Sequence, residues 1–414
     1  MVSKHGFITV NGCLHGEFST LLPLVSEETK LLILLGDLQL LSTKQDLSTC
    51  AIPYKYTYKG DIQKISDFHR ILKNHPRDEL AQKFNNIDCV LGIGGNHENM
   101  GLLEKLPFGG FVTENFFYMG QCNVIKYKGM KIAGFSGIYK QNDVYSKREY
   151  GFEQMVLGDY SWWKRNKVSS YHVRFFEILP LLLYDSEDEV DFVLSHDWPQ
   201  NVFHNKDPNL ENKLFKIKPF FKPDVQSGKL GSPLYDLVMK NLKPSNWFSA
   251  HLHIKYQTTI EFENGDSTDF MALDKLVPRR LNEGISQFEL PSEVDEDQKF
   301  NDNDGTVNEE CNLAKDNLLL EANSSNSNFG DCGIQLDEEF IKIQFWCFQN
   351  KHKIEGLIDI NSFNFKEQVD QIQSLYNAEK KTIKLQAPLL KPFFSQNPFD
   401  YTEIYMKSNL KSNF

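Results

Sequence analysis

A chain of 414 residues with a formal net charge of −11 can bury a large core, either as one big domain with an appendage or as two domains. Its seven cysteines (Cys13, Cys50, Cys89, Cys122, Cys311, Cys332 and Cys347) are odd in number, scattered and without a Cys-x-x-Cys pair. That pattern argues against a disulfide framework or a zinc finger and for a reducing compartment. No apolar run approaches the ~20 residues a membrane span needs, so a soluble, intracellular protein is expected.

The charge is concentrated in one segment. Between Pro291 and Phe340 there are 14 acidic residues against two lysines, a net −12, so the rest of the chain carries +1. The whole-chain charge therefore does not exclude a nucleic-acid partner.

From Phe7 to about Ala272, short buried-looking β runs alternate with longer polar or helical stretches, the pattern of an α/β domain. Phe7-Ile8-Thr9-Val10 leads to Cys13-Leu14-His15, and Leu31-Leu32-Ile33-Leu34-Leu35 leads to Gly36-Asp37. Between Tyr54 and Lys83, Ile62, Ile65, Phe68 and Leu72 recur at spacings of three and four, which predicts an amphipathic surface helix. Cys89-Val90-Leu91-Gly92-Ile93 then runs into Gly94-Gly95-Asn96-His97-Glu98. A glycine pair there lets the backbone approach an ion or a phosphate closely.

The segment Ser136–Phe176 holds seven Lys and Arg against four acids, with ten aromatics. Basic and aromatic side chains interleaved in this way can pair with phosphates and stack on unpaired bases, or the aromatics can pack an insertion onto the domain. The candidate RNA contacts are Lys140, Lys147, Arg148, Lys164, Arg165, Lys167, Tyr171 and Arg174. Further on, Val190-Asp191-Phe192-Val193-Leu194 leads to Ser195-His196-Asp197, and Asn246-Trp247-Phe248-Ser249-Ala250 leads to His251-Leu252-His253. The acidic, Asn/Ser-rich stretch that follows is too polar to offset the entropy of ordering and reads as a disordered linker. Beyond it, the aromatic text Phe340 to Phe348 predicts a strand, and a helix is expected near Phe365–Tyr376.

Ligand groups gather beyond the carboxyl ends of strands in sheets of this kind, so the five clusters can converge in space. Asp37, alone at the end of an apolar strand, is costly to bury without a cation and is the natural bridge between two ions. His251 and His253 project to one side if they continue a strand, and Cys13 and His15 share that spacing. One site of Cys13, His15, Asp37 and His253 follows, with a second of Asp37, Asn96, His196 and His251. His97 is left free to carry a proton, while Glu98 and Asp197 are candidates for orienting the ligands. A single histidine of this kind is more often structural than ligating, but five beyond strand ends in company with Asp, Asn or Cys fit a paired-metal hydrolase.

These blocks resemble the calcineurin-like metallophosphoesterases, and among them the RNA lariat debranching enzymes, most closely the fungal members. The resemblance rests on Gly12-Cys13-Leu14-His15-Gly16-Glu17, where Cys13 replaces the usual Asp, and on Gly36-Asp37-Leu38-Gln39, Ile93-Gly94-Gly95-Asn96-His97-Glu98 and Leu106-Pro107-Phe108-Gly109-Gly110. It continues through Tyr171-His172-Val173-Arg174, Leu194-Ser195-His196-Asp197-Trp198-Pro199, Ser249-Ala250-His251-Leu252-His253 and Leu273-Asp274-Lys275. Family members usually have Cys-Cys-His where this chain has Cys13-Leu14-His15, and the stretch Lys59–Asp88 is longer than usual.

The resemblance implies an α/β metallophosphoesterase sandwich of two mixed β-sheets flanked by helices, with a smaller C-terminal α+β segment. It divides the chain into a catalytic domain at 1–290 with a lariat recognition loop at 136–176, an acidic linker at 291–334 and a C-terminal segment at 335–414. The implied reaction is hydrolysis of the 2′–5′ phosphodiester of branched intron RNA, with two divalent ions (Fe2+, Zn2+ or Mn2+) and proton delivery by His97. A monomer in the nucleus, with a cytoplasmic pool, is expected. The alternatives are a metallophosphoesterase acting on another phosphoester and a non-catalytic scaffold of the same fold. Gly36-Asp37-Leu38-Gln39-Leu40-Leu41 lacks the Arg with which protein phosphatases of the superfamily grip a monoester.

Overall fold

The computed structural model describes residues 6–53, 65–148, 166–185, 189–203, 208–291 and 332–383. The acidic tract, Lys164, Arg165 and the end of the C-terminal segment lie outside these residues.

Two mixed sheets face each other, as expected. The first runs β12 (Ile285–Glu289), β1 (Phe7–Asn11), β2 (Thr29–Leu34), β3 (Cys89–Gly92), β5 (Phe116–Tyr118) and β4 (Gly110–Thr113). The second runs β10 (Tyr256–Glu261), β11 (Ser267–Ala272), β9 (Asn246–Ser249), β8 (Phe192–Ser195), β7 (Met130–Phe135), β6 (Cys122–Tyr127) and β13 (Ile334–Leu336). Strands β1, β2, β3 and β5 are mutually parallel, as are β7, β8, β9 and β11. The antiparallel strands lie toward the edges.

The apolar run Leu31–Leu35 has both faces buried, which is why it shows no polar alternation. Leu31 and Ile33 face the layer between the sheets together with Ile8, Val10, Leu91, Ile132, Leu194 and Phe248. Leu32 and Leu34 face the other way, into a core with Phe18, Phe68, Leu80 and Phe84. A third core covers the outer face of the second sheet and takes in Phe175, Leu179, Tyr235, Phe340, Trp346 and Ile372. The C-terminal segment thus shares this core, and its strand β13 pairs with β6 through Ile334 and Tyr127.

Two element expectations are corrected. Phe340 to Phe348 is not a strand but part of the helix Glu338–Gln349. It is buried on most sides, from Phe340 through Cys347, which erases the 3.6-residue alternation that would have revealed it. The start signal is nonetheless present: Asp337 caps the helix by accepting from Phe340 N at 3.0 Å, and Glu338 and Glu339 occupy the first turn. Nor does a single helix span Tyr54 to Lys83. Within the described part, Ile65 lies in a turn, and short helices at Phe68–Lys73 and Glu79–Asn85 flank Pro76. Asn74 ends the first in a left-handed conformation, and Leu72, counted as apolar-face, is exposed.

Candidate metal centre

Each of the five clusters follows the carboxyl end of a parallel strand. Cys13 and His15 come after β1, Asp37 after β2, Asn96 and His97 after β3, His196 after β8, and His251 and His253 after β9. The facing edges of the two sheets bring them together. One donor atom from each of Cys13, His15, Asp37 and His253 lies within 4.8 Å of the others. On the neighbouring side, His196 Nε2 is 3.4 Å from Asp37 Oδ1 and 3.3 Å from Asn96 Oδ1, and the His196 and His251 rings are 5.1 Å apart. The six other sequence-predicted ligands therefore surround Asp37 as two overlapping groups.

The backbone that achieves this is not extended. His15, Asp37, Gln39, His251 and His253 all have φ between 45° and 59°, a conformation that non-glycine residues adopt at a cost of order 1–3 kcal/mol each. His251 and His253 thus meet the cluster from a left-handed loop rather than by continuing β9, so the strand-spacing argument for them is corrected. Two glycines make room. A Cβ on Gly36 would lie 2.4 Å from His196 Nδ1, and one on Gly95 would lie 2.4 Å from Asp37 Oδ1.

Hydrogen bonds fix which atom each ring presents. His196 Nδ1 donates to Leu35 O at 2.6 Å, so its unprotonated Nε2 points at the Asp37 and Asn96 oxygens. His97 Nδ1 donates to Ala51 O at 2.7 Å, which leaves Nε2 outside that bond. His97 lies beside His15, with ring centroids 5.6 Å apart.

Charge in the cluster is governed by burial. It pushes His196 down to about 4 and His253 to about 3, and lowers His15 as well. These rings are therefore neutral near pH 7, with lone pairs available. Burial raises Asp37, but the surrounding imidazoles outweigh it and hold the carboxyl well below the usual range. The Cys13 thiol is driven well up by burial and then by Asp37, against the N–H that His251 donates to its sulfur at 3.2 Å. The donor set suits divalent cations: neutral imidazoles, a buried carboxylate and a thiol converge with few protons between them. Three acceptors pointed at one another, as in His196 Nε2, Asp37 Oδ1 and Asn96 Oδ1, repel unless a cation lies among them.

Glu98 hydrogen-bonds to backbone N–H groups and so clamps the loops of the cluster. Its carboxylate accepts from Leu38 N at 2.8 Å, Gln39 N at 3.2 Å and Gly95 N at 2.6 Å, while burial and Asp37 push it to about 8. Asp197 braces the loop after β8, accepting from Trp198 N at 2.8 Å and Tyr139 N at 3.2 Å.

The candidate RNA contacts divide sharply. Arg148 is turned inward: Nε lies 2.6 Å from Glu177 Oε1, Nη2 lies 2.7 Å from Glu177 Oε2, and Nη1 and Nη2 donate to Ser170 O and His172 O. Buried Arg174 donates from Nη1 to His172 O at 2.7 Å and from Nη2 to Ser169 Oγ at 2.9 Å. Both are corrected from RNA contacts to internal cross-links of the loop base. Lys140 and Lys147 are exposed, and Lys167 reaches Cys50 O at 3.4 Å. Tyr171 is half-buried, and burial and then Asp37 raise its hydroxyl pKa.

Sequence reasoning passed over Gln39, whose Nε2 lies 3.4 Å from His15 Nδ1, and gave Lys275 no role. Lys275 follows Asp274, whose carbonyl lies 2.2 Å from where a Cβ on Gly12 would sit. Its place directly beyond β11 was the available signal.

No family model matches the chain. It is 33% identical over 383 residues to the lariat debranching enzyme of Saccharomyces cerevisiae, covering 87% of this chain and 88% of that one. It is 35% identical over 285 residues to lariat debranching enzyme A of Xenopus laevis and 33% identical over 286 residues to the lariat debranching enzyme of Homo sapiens. The aligned region is 66% of this chain and 48% of each vertebrate protein, so the match spans about half the length of those relatives.

Proposed function

The chain belongs to the lariat debranching enzyme family, and from that premise we propose that its strand-end cluster hydrolyses the 2′–5′ phosphodiester at the branch point of excised intron lariat RNA. The observation that carries this reading is the convergence of His196 Nε2, Asp37 Oδ1 and Asn96 Oδ1, next to a second donor group built on the same carboxylate. Cys13, His15, Asp37 and His253 would hold one divalent ion. Asp37, Asn96, His196 and His251 would hold another. When bound, such ions neutralise charge on the non-bridging phosphate oxygens and make water a better nucleophile at neutral pH.

The chain's own residues do the rest. His97 Nε2, left free by the Nδ1 bond to Ala51 O, delivers a proton to the departing 2′ oxygen. Asp37 Oδ1 accepts the backbone N–H groups of Asn96 and His97, so it registers the proton donor against the ligands. Glu98 fastens the loop after β2 to the loop after β3. Tyr171, Lys140 and Lys147 contact the RNA from the loop side. The Cys13 thiolate favours Zn2+ or Fe2+ over Mn2+ in the first position. The substrate is intron RNA, so the protein works in the nucleus, with a cytoplasmic pool, and as a monomer.

Incubation of the purified protein with a branched RNA and with its 3′–5′ linear isomer, each with and without chelator, tests the reading. Cleavage confined to the branched RNA and abolished by chelation is expected. Equal cleavage of the two isomers overturns it.

A further inference from the structure

Among the described residues, the His97 ring has one hydrogen bond, from Nδ1 to Ala51 O at 2.7 Å. Its backbone is fixed separately by Asp37, so the aim of the ring depends on where Ala51 lies. Ala51 belongs to a strip, 49–52, that covers a small cluster of Leu41, Cys50 and Ile52 apart from the three main cores. A strip over so small a satellite cluster relies on polar ties for its position. Thr49 Oγ1 donates to Asn99 Oδ1 at 2.7 Å, and Cys50 pairs with Asn99 as an isolated antiparallel bridge. On the carbonyl before that of Ala51, Lys167 Nζ donates to Cys50 O at 3.4 Å.

Lys167 stands on the returning side of the 136–176 loop, and the base of that loop is built onto the His97 loop. Ser136 Oγ accepts from Gly94 N at 2.8 Å, and Gly137 N donates to Gly94 O at 2.8 Å. Ile138 and His172 then pair as a parallel bridge that joins the outgoing and returning sides. The backbone that carries Lys167 is cross-linked in turn. Lys167 O accepts from Ser170 Oγ at 2.6 Å, and Arg148 and Arg174 donate to the carbonyls of Ser170 and Ser169. The loop base therefore meets the His97 loop twice, at its backbone through Gly94 and at its ring through the strip 49–52. Among the described residues, Cys50 O is the one hydrogen-bond partner of the Lys167 ammonium.

We propose that Lys167 is a positioning residue for His97: its ammonium holds the backbone of Cys50 and Ala51, and Ala51 O in turn aims the His97 ring at the departing 2′ oxygen. This role rests on the reading of His97 as the proton donor. It takes Lys167 away from the RNA phosphates for which its charge made it a candidate, and it makes the base of the 136–176 loop part of the mount of the acid. An alkoxide leaving group needs the proton that His97 supplies, whereas a nitrophenolate leaves without one. Loss of Lys167 therefore affects the two kinds of ester differently.

The test compares the single-turnover rate at saturating branched RNA with turnover of bis(para-nitrophenyl) phosphate, using the full-length zinc-loaded protein. Lys167→Met is expected to slow branched-RNA cleavage about tenfold, part of the roughly 100- to 10,000-fold that a positioned acid supplies. The half-saturating RNA concentration, its salt dependence and the rate on the aryl ester stay at wild-type values. Lys167→Arg, which keeps a charged donor, restores the RNA rate. In a His97→Ala background, Lys167→Met costs nothing further. A readout without cleavage is the downfield NMR resonance of His97 Nδ1–H, assigned by its loss in His97→Ala, which is expected to weaken through solvent exchange in Lys167→Met. A wild-type RNA rate in Lys167→Met overturns the role, and so does an equal loss on both esters, a full further loss in His97→Ala, or an unchanged Nδ1–H resonance. A raised half-saturating concentration with a flattened salt dependence and an intact saturated rate overturns it too, and returns Lys167 to the RNA contacts. Wild-type cleavage by His97→Ala refutes the reading of His97 and takes the role of Lys167 with it. The expected loss in His97→Ala beside a wild-type Lys167→Met refutes the role of Lys167 alone.

Discussion

The backbone N–H of His97 donates to Asp37 Oδ1 at 2.8 Å. The same oxygen accepts from Asn96 N at 3.0 Å, so the residue proposed to move a proton is positioned by the carboxylate proposed to be shared between two ions. This bond belongs to the backbone and survives side-chain truncation. His97→Ala is therefore expected to keep its bound metal while turnover falls roughly 100- to 10,000-fold, the usual contribution of a positioned acid. Metal analysis beside single-turnover kinetics checks this. Loss of an ion in that variant would make His97 a ligand.

Cys13 is fully buried, and its sulfur accepts from His251 N at 3.2 Å. A soft thiolate there favours Zn2+ or Fe2+, and a carboxylate favours Mn2+. Cys13→Asp should shift the metal preference toward Mn2+ with activity retained. Cys13→Ala should weaken one site more than the other, since only the group with His15 and His253 loses a donor. Bound metal is measured anaerobically for all three proteins across the three ions, because thiolate and Fe2+ both oxidise. Identical metal profiles would remove Cys13 from the centre.

The convergence of six residues on Asp37 was legible because strands buried on both faces read as unbroken apolar runs, and each ligand block stands just beyond one. The local geometry was not. Sequence spacing suggested that His251 and His253 share a strand face, yet both are left-handed, a state stabilised by surroundings that no periodicity records. Composition marked residues 136–176 as basic and aromatic but could not say which way a guanidinium turns. Arg148 and Arg174 spend theirs on Glu177 and on carbonyls of the same loop. The helix Glu338–Gln349 was misread as a strand because burial on most sides conceals its period, although Asp337 and the two glutamates after it marked its start.

Arg148 and Lys147 are neighbours with opposite expected behaviour. The Arg148 side chain is 12% exposed and its Glu177 partner 9%, whereas Lys147 is exposed. Arg148→Ala leaves Glu177 buried without its cation and should cost about 3–5 kcal/mol of stability. Lys147→Ala should leave stability within about 0.5 kcal/mol and weaken RNA binding modestly. Urea denaturation beside RNA titration separates the two. A stable Arg148→Ala protein with reduced RNA affinity would return Arg148 to the RNA-binding surface.

Asp236, on the helix Pro233–Leu242, accepts from Asn201 N at 2.9 Å, and burial raises its carboxyl to about 7. The unfolded chain releases that proton near pH 4, whereas the folded protein keeps it until about pH 7. Between those values the native state binds the extra proton, so this group makes stability fall as pH rises. Its favourable contribution is complete below about pH 4 and lost once the pH passes 7. Asp236→Asn keeps an oxygen for the Asn201 N–H and removes the charge. The variant should therefore be more stable than the wild type at pH 8, by at most about 4 kcal/mol, a ceiling set by three pKa units at about 1.4 kcal/mol each. The advantage should shrink steadily toward pH 4.5. Urea denaturation of both proteins at pH 4.5, 6 and 8 measures it, and only the difference between them is read, so titration elsewhere in the chain cancels. A difference that stays constant with pH would assign the effect to packing at Asn201 rather than to the buried charge.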